Sequence, residues 1–353
     1  MDGKGKQIRV LVVDDSAFMR KVVSDILNSD NEIEVVDTAK NGLEAVSKVK
    51  ELKPDVITLD VKMPVMDGLE CLRKINDIPG MSVVVLSSVT KEGTEATIQA
   101  LADGAIDFIA KPDNIFDMNG EEKKKEVIEK IKVAGYSAKG IKDIEETGGN
   151  TSIENKYSDA VNIVAIGSST GGPKALQNVI SQIPQNINAA FLVVQHMPAG
   201  FTRSLAERLN TVSFVTVKEA EDNDIVKTGH VYIAAGDYHM VVEKKERNTL
   251  VIRLTKDPPI GGLRPSVDVM MESLSKTGID KAVGVIMTGM GGDGSEGIKK
   301  LKNRNNAYII AQEESSCVVF GMPRVAIQTG VVDAVVTLKD IANEIIRIVG
   351  VHE

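Results

Sequence analysis

The chain has 353 residues, 42% hydrophobic and 26% charged, a balance that suits two folded domains and excludes a disordered polymer. Its formal net charge of −8 excludes a globally basic nucleic-acid binder, and 3% aromatic residues without tryptophan leave little on which unpaired bases could stack. No run approaches the ~18 apolar residues of a membrane span, and the two distant cysteines, Cys71 and Cys317, form no disulfide framework. The start MDGKGKQIR holds no apolar signal core, so a reducing cytoplasm without membrane insertion is the expected setting.

From residue 8 short apolar runs alternate with helical patterns. Residues 8–13 end abruptly at Asp14-Asp15 and lead into a helix over 17–28. Strand-like runs at 34–38, 56–59, 82–86 and 106–109 alternate with helices at 42–52, 69–75 and 94–102. Five strands in this rhythm imply a parallel sheet buried on both faces, the doubly wound α/β class. In that class functional groups gather beyond the carboxyl ends of the strands.

Residues 121–134 read as an amphipathic helix with Val127, Ile128, Ile131 and Val133 on its apolar side. The stretch from Tyr136 to Asp159 is polar, contains Gly148-Gly149-Asn150, and reads as a linker. The expected organisation is a first domain over 7–134, a linker over 135–159 and a second domain over 160–353. The acidity lies in the first half and the middle: residues 1–112 hold 14 Lys+Arg against 19 Asp+Glu, whereas 161–353 hold 20 of each.

In the second domain, runs at 161–166, 190–194, 283–287, 307–311 and 332–336 are strand-like. Helices are expected at 173–183, 202–209, 267–276, 296–301 and 341–349. Runs at 230–234, 240–242 and 250–254 read as a small strand-rich insert.

The first set of chemical residues lies at strand ends of the first domain: Asp14, Asp15 and Asp60, with Ser87 and Lys111 at two further ends. Clustered carboxylates repel each other unless a cation sits among them, and carboxylate and water oxygens suit Mg²⁺. A carboxylate beside a cation can attack a phosphoryl group, whose charge the cation and an ammonium would stabilise. Any one of these acids could instead be a solvated helix cap; the full set is hard to explain that way.

VLVVDDSAFMR, DVITLDVKMPVMDG, VVVLSS and GAIDFIAKP resemble response-regulator receiver domains over about residues 7–115. The resemblance implies that Asp60 is the phospho-acceptor and that Asp14, Asp15 and Asp60 hold Mg²⁺, Asp15 more directly than Asp14. It implies that Ser87 and Lys111 contact the phosphoryl group, that Phe108 is a switch aromatic, and that the bond before Pro112 is cis. Ser at 87 and Phe at 108 stand where Thr and Tyr are commoner.

The second set begins at Gly167-Ser168-Ser169-Thr170-Gly171, a G-x-S-x-G turn after a strand, which exposes a hydroxyl and directs amides above it. Such turns also bind phosphate or merely cap a helix. Of four histidines, His196 follows a strand as Ser169 does, while His230 and His239 lie in or beside the insert and His352 near the chain end. Asp293 sits in a glycine-rich turn after another strand. It could cap the next helix or orient an imidazole. Ser169, His196 and Asp293 together suit a nucleophile, base and orienter, recognised by geometry rather than order. Ser168 is the neighbouring rival. Arg264 and Asp268 could be substrate contacts or a helix-start ion pair, Thr170 and Arg203 could shape the cleft, and Cys317 and Met322 look packed.

IVAIGSSTGGPKAL, VVQHMPAGFTRSLAERL, GLRPSVDVMMESL, VIMTGMGGDGSEGI and AQEESSCVVFGMPRVAI resemble the catalytic domain of chemotaxis protein-glutamate methylesterases from about residue 161 to 350. The resemblance implies demethylation of methyl-accepting chemoreceptors and deamidation of receptor glutamines, with phosphate supplied by a chemotaxis histidine kinase. It points to the backbone amides of Thr170 and Met290 as oxyanion donors and to an esterase reaction without a cofactor. A receiver that covers the cleft until Asp60 is phosphorylated is the expected control. A nucleic-acid-binding output, a non-catalytic adaptor and a general esterase or protease are the competing readings.

Overall fold

The computed structural model describes residues 7–76, 78–112, 117, 118, 120–137, 162–245, 249–279 and 281–352. The chain divides into two compact units, Met1–Ile144 and Glu145–Glu353. Of the expected linker, residues 138–159 lie outside the described residues.

The first unit alternates strand and helix: β1 Ile8–Val13, α1 Ala17–Asn28, β2 Ile33–Ala39, α2 Gly42–Leu52, β3 Val56–Asp60, α3 Gly68–Ile75, β4 Ser82–Ser88, α4 Lys91–Ala102, β5 Asp107–Lys111 and α5 Glu121–Ser137. Short polar side chains start the helices: Ser16, Asn41, Asp67 and Thr90 each accept an amide proton from the residue three positions on. The strands form one parallel sheet in the order β2-β1-β3-β4-β5. Val10, Val12, Val84, Leu86 and Ile109 share a core with Met19, Val23 and Ile26 of α1 and Val127 and Ile131 of α5. The alternate residues Leu11, Val13, Leu59 and Val85 are equally buried and point to the opposite face. The helix expected over 121–134 runs three residues further, to Ser137.

The second unit contains β6 Asn162–Ser168, α6 Gly172–Ile180, β7 Ala189–Gln195, α7 Phe201–Val212, β8 Thr216–Glu219, β9 His230–Ile233, β10 His239–Lys244 and β11 Leu250–Thr255. It continues with α8 Val267–Ser275, β12 Ala282–Ile286, α9 Ser295–Asn305, β13 Tyr308–Gln312, α10 Met322–Gln328, β14 Ala334–Val336 and α11 Ile341–Val349. Seven strands build a parallel sheet in the order β14-β13-β12-β6-β7-β9-β8. Helix α8 lies close over β6: a methyl added to Gly167 would stand 2.5 Å from Val267 Cγ1.

The strand-rich insert needs correction. Only β10 and β11 form a separate antiparallel hairpin. The run at 230–233 enters the main sheet as β9, between β7 and the short edge strand β8, which sequence patterning missed. The hairpin packs on α8, where Val242 N donates to Ser273 Oγ at 2.9 Å. Helix α10 was also missed; its Pro323 at the first turn suits a helix start but reads as a breaker in sequence. Among the described residues no helix is long and apolar enough to cross a membrane.

In each sheet the direction of winding reverses next to the first strand of the unit, between β1 and β3 and between β6 and β12. Open α/β sheets hold their ligands beyond the carboxyl ends of strands at this reversal.

Candidate functional site

At the reversal in the first sheet, Asp14 and Asp15 follow β1 and Asp60 ends β3. Asp14 is fully buried, Asp60 nearly so, and Asp15 is exposed. Lys111 Nζ bridges the two buried acids, 2.8 Å from Asp14 Oδ2 and 2.8 Å from Asp60 Oδ2. Asp14 Oδ1 accepts from Ser16 N at 2.9 Å, and Arg20 donates to the carbonyls of Asp14 and Asp15 at 2.8 and 3.0 Å. Burial pushes the Asp60 carboxyl above its ordinary range, against the pull of Lys111. Burial also opposes charge on Lys111, but the Asp60 and Asp14 carboxylates outweigh it and hold the ammonium above its ordinary range.

One oxygen from each of Asp14, Asp15 and Asp60 lies within 4.8 Å of the others. Hard oxygen donors at this spacing, one of them facing water, fit Mg²⁺, which keeps several water ligands. Ser87 follows Leu86, the register partner of Asp60 on β4, and is buried, with its hydroxyl donating to Gly93 O at 3.0 Å. Phe108 is buried too. Lys130 of α5, which sequence reading passed over, sits 4.9 Å from its ring centroid and donates to its carbonyl at 2.5 Å. The cis bond implied before Pro112 is absent; the cis peptide among the described residues is Arg264–Pro265. X-Pro isomers differ by only about 0.5–1 kcal/mol, so local sequence does not choose between them.

The second site is set by strand register. Ser168 and Gln195 are partners at the ends of β6 and β7, so the next residues, Ser169 and His196, leave the sheet side by side. His196 N donates to Ser168 O at 3.1 Å, and Ser169 N donates to Thr288 O at 3.0 Å, beyond β12. The turn closes through Gly172 N to Ser169 O at 2.7 Å, with Gly171 at φ 77°, a conformation that favours glycine. A methyl on Gly289 would lie 2.8 Å from Ser169 Cβ, so that glycine admits the close approach.

The rival Ser168 is fully buried and donates to Gln195 Oε1 at 2.7 Å. Gln195 Nε2 in turn donates to Ser169 O at 2.9 Å. Ser169 is half-buried, and among the described residues its hydroxyl makes no hydrogen bond, to His196 or to any other group. Catalytic hydrogen bonds often tighten only once substrate is bound.

His196 Nε2 lies 2.8 Å from Asp293 Oδ2, with both side chains 8% exposed and therefore largely screened from water. Asp293 also accepts from Ser266 Oγ at 2.8 Å, Val267 N at 2.6 Å and Asp268 N at 3.0 Å. Burial alone would raise its pKa. His196 and the amides at the start of α8 overcome that and hold the carboxyl below its ordinary range. Asp293 therefore caps α8, not the helix that follows it in sequence.

Thr170 and Met290 lie on adjoining turns: Thr288 Oγ1 donates to Thr170 O at 3.0 Å, and Gly289 N donates to Val319 O at 3.1 Å. Arg203 pairs with Glu219 at 3.2 Å. Arg264 and Asp268 form no ion pair with each other; Arg264 donates to the carbonyls of Lys256 and Asp257, and Asp268 accepts from Gly294 N and Gly297 N. Burial pushes the Cys317 thiol up to about 12, which disfavours the thiolate. Gln195, Ser266 and Thr288 were missed because each acts through a partner distant in sequence; the signal available was a polar residue at or just beyond the end of an apolar strand for Gln195 and Thr288, and a helix-start serine for Ser266.

A model of the CheB methylesterase family matches residues 164–345, and one of the response regulator receiver domain matches residues 10–119. The chain is 46% identical over 346 residues to the protein-glutamate methylesterase/protein-glutamine glutaminase 1 of Syntrophomonas wolfei, across 96% of this chain and 98% of that one. It is 44% identical over 348 residues to the Bacillus subtilis protein-glutamate methylesterase/protein-glutamine glutaminase, across 96% and 97%. Among solved structures, the Thermotoga maritima CheB methylesterase catalytic domain is 43% identical and covers 53% of this chain and 98% of its own, with a TM-score of 0.51.

Proposed function

We propose that this chain, which belongs to the CheB methylesterase family and carries a response regulator receiver domain, is a phosphorylation-regulated protein-glutamate methylesterase. It hydrolyses glutamyl methyl esters on chemoreceptors, releasing methanol, and deamidates receptor glutamines in chemotaxis adaptation. Residues 7–137, through the end of α5, are assigned to the receiver, 138–159 to the linker and 160–353 to the methylesterase domain. The unpaired Cys71 and Cys317 fit a cytoplasmic setting.

The observation that carries the reading is the His196–Asp293 pair beside the Ser169 turn. Ser169 Oγ attacks the ester carbonyl while His196 takes its proton. Because Nε2 is held by Asp293, the accepting nitrogen is Nδ1. Asp293 stabilises the imidazolium. The amides of Thr170 and Met290 receive the developing oxyanion. His196 returns the proton to the departing methoxide, or to the amide nitrogen of a glutamine substrate, which leaves as ammonia, and water resolves the acyl-enzyme to glutamate. These side chains and amides suffice for the chemistry without a cofactor.

In the receiver, Asp14, Asp15 and Asp60 would hold Mg²⁺, which when bound offsets charge on a phosphoryl group. The Asp60 carboxylate accepts the phosphoryl group from a chemotaxis histidine kinase, and Lys111 and Ser87 contact its oxygens. Phe108 reports the change as the switch aromatic. The second domain has no excess of basic residues, which disfavours a nucleic-acid output.

The test is methanol release from methylated receptor, with and without a small phosphodonor and Mg²⁺. Wild type is stimulated, Asp60→Asn is not, and Ser169→Ala is inactive. Substantial turnover by folded Ser169→Ala overturns the assignment.

A further inference from the structure

Two acidic residues cap each other's helices. Asp293 stands two residues before α9, yet its carboxylate accepts from Val267 N and Asp268 N in the first turn of α8. Asp268, in that first turn, sends its own carboxylate the other way. Its Oδ1 accepts from Gly294 N at 3.0 Å and Gly297 N at 2.6 Å, at the start of α9. Helix α9 has no cap from its own segment: its N-cap is Gly294, at φ 98°, without a side chain to offer.

We infer that Asp268 is a positioning residue of the esterase centre, which ties down the glycine-rich turn that carries Asp293 and so presents Asp293 to His196. The inference deepens the methylesterase reading and rests on it. Asp293 is flanked by Gly292 and Gly294, with Gly291 just before, and both Gly291 and Gly294 have positive φ. Such a segment has more conformations to lose than any other, so its geometry depends on outside pins. Asp268 grips it on the residue directly after Asp293 and again at Gly297. The helices are close enough for that grip to be stiff: a methyl on Gly297 would lie 2.7 Å from Met271 Cβ and 3.2 Å from Asp268 Oδ1.

A carboxylate is costly here. Burial raises the Asp268 pKa to about 6, the charge of Asp293 adds to the rise, and the two glycine amides oppose it. A surface helix cap carries no such cost, since water solvates it.

The test uses the full chain, with kcat and KM measured on methylated receptor. Asp268→Ala is expected to lower kcat about ten- to a hundred-fold, the scale of a small misplacement of reacting groups, with KM within about two-fold of wild type. Asp268→Asn, whose amide oxygen can accept the same two bonds, restores kcat to within about three-fold. Asp268→Glu keeps the charge but displaces the acceptor, and its kcat stays about ten-fold down, which decides the matter if Asp268→Ala does not fold. Wild-type kcat in Asp268→Ala or Asp268→Glu overturns the inference, as does an Asp268→Asn variant as slow as Asp268→Ala. Ser169→Ala in the same assay separates the two readings. If wild type releases no methanol, the methylesterase reading fails; if wild type turns over, Ser169→Ala is dead and Asp268→Ala matches wild type, only the role of Asp268 fails.

Discussion

Asp293 Oδ2 lies 2.8 Å from His196 Nε2, so the imidazole is held by its far nitrogen, and on the proposed mechanism Nδ1 is the nitrogen that takes the serine proton. The bond selects a tautomer as well as an orientation. An asparagine at 293 can offer Nε2 a donor instead of an acceptor and reverse that choice. Asp293→Asn is therefore expected to fold and to lose about 10⁴ in kcat, as loss of the carboxylate does in other serine triads. Methanol release near the wild-type rate would contradict this role.

The neighbouring serines separate by their bonds. Ser168→Ala removes a buried donor but leaves Gln195 Nε2 bonded to Ser169 O, so most turnover is retained. Gln195→Ala removes the clamp on both serines and leaves the Ser168 hydroxyl buried without its acceptor. A stability loss of about 1–3 kcal/mol, with reduced kcat, is expected from denaturant unfolding and methanol release. Loss of activity in Ser168→Ala that matched Ser169→Ala would count against this division.

In the receiver, Lys111 is the cation between two buried carboxylates. Lys111→Met leaves Asp14 and Asp60 facing each other, and breaking a buried pair in this way costs about 3–5 kcal/mol. On the proposed reading millimolar Mg²⁺, held by the folded acidic cluster, is expected to recover part of that loss. Urea unfolding with and without Mg²⁺ measures it; equal stability of variant and wild type in chelator would refute the pairing.

The Asp268 carboxyl carries a sign that can be checked. Its folded pKa, about 6, stands above the ordinary value of about 3.9, so the folded state binds its proton more tightly than the unfolded chain. Its favourable contribution is complete below pH ~4 and is lost as pH rises through ~6. Asp268→Asn removes this titration, so its stability relative to wild type should rise between pH 4 and 6 and then level off. The Asp293 shift has the opposite sign and acts below pH ~4, outside that window. A difference in thermal midpoint that is flat from pH 4 to 8 would exclude the linkage.

Control by the receiver requires a difference in free energy between phosphorylated and unphosphorylated states. Removal of residues 1–150 is expected to raise basal methanol release above that of the unphosphorylated whole chain. An unchanged or lower rate from a properly folded fragment would exclude inhibition by the receiver.

Much of the architecture was legible because it rests on local periods. Apolar runs ending in Asp14-Asp15, Asp60 and Ser87, each followed by a helical pattern, require a parallel sheet, and a parallel sheet gathers its strand ends on one edge. The same logic located Ser169 and His196 as neighbours. The short strands β8 and β9 were misread or missed because four residues carry too little pattern to reveal which sheet they join.

What tertiary structure alone decided is how each group is held. The inward turn of Ser168 onto Gln195, the nitrogen that His196 gives to Asp293, and the exchange of caps between Asp268 and Asp293 join residues 25 to 97 positions apart. Composition and spacing select which side chains are present at a strand end. Their orientation follows from register and helix packing between segments that meet only in the folded chain.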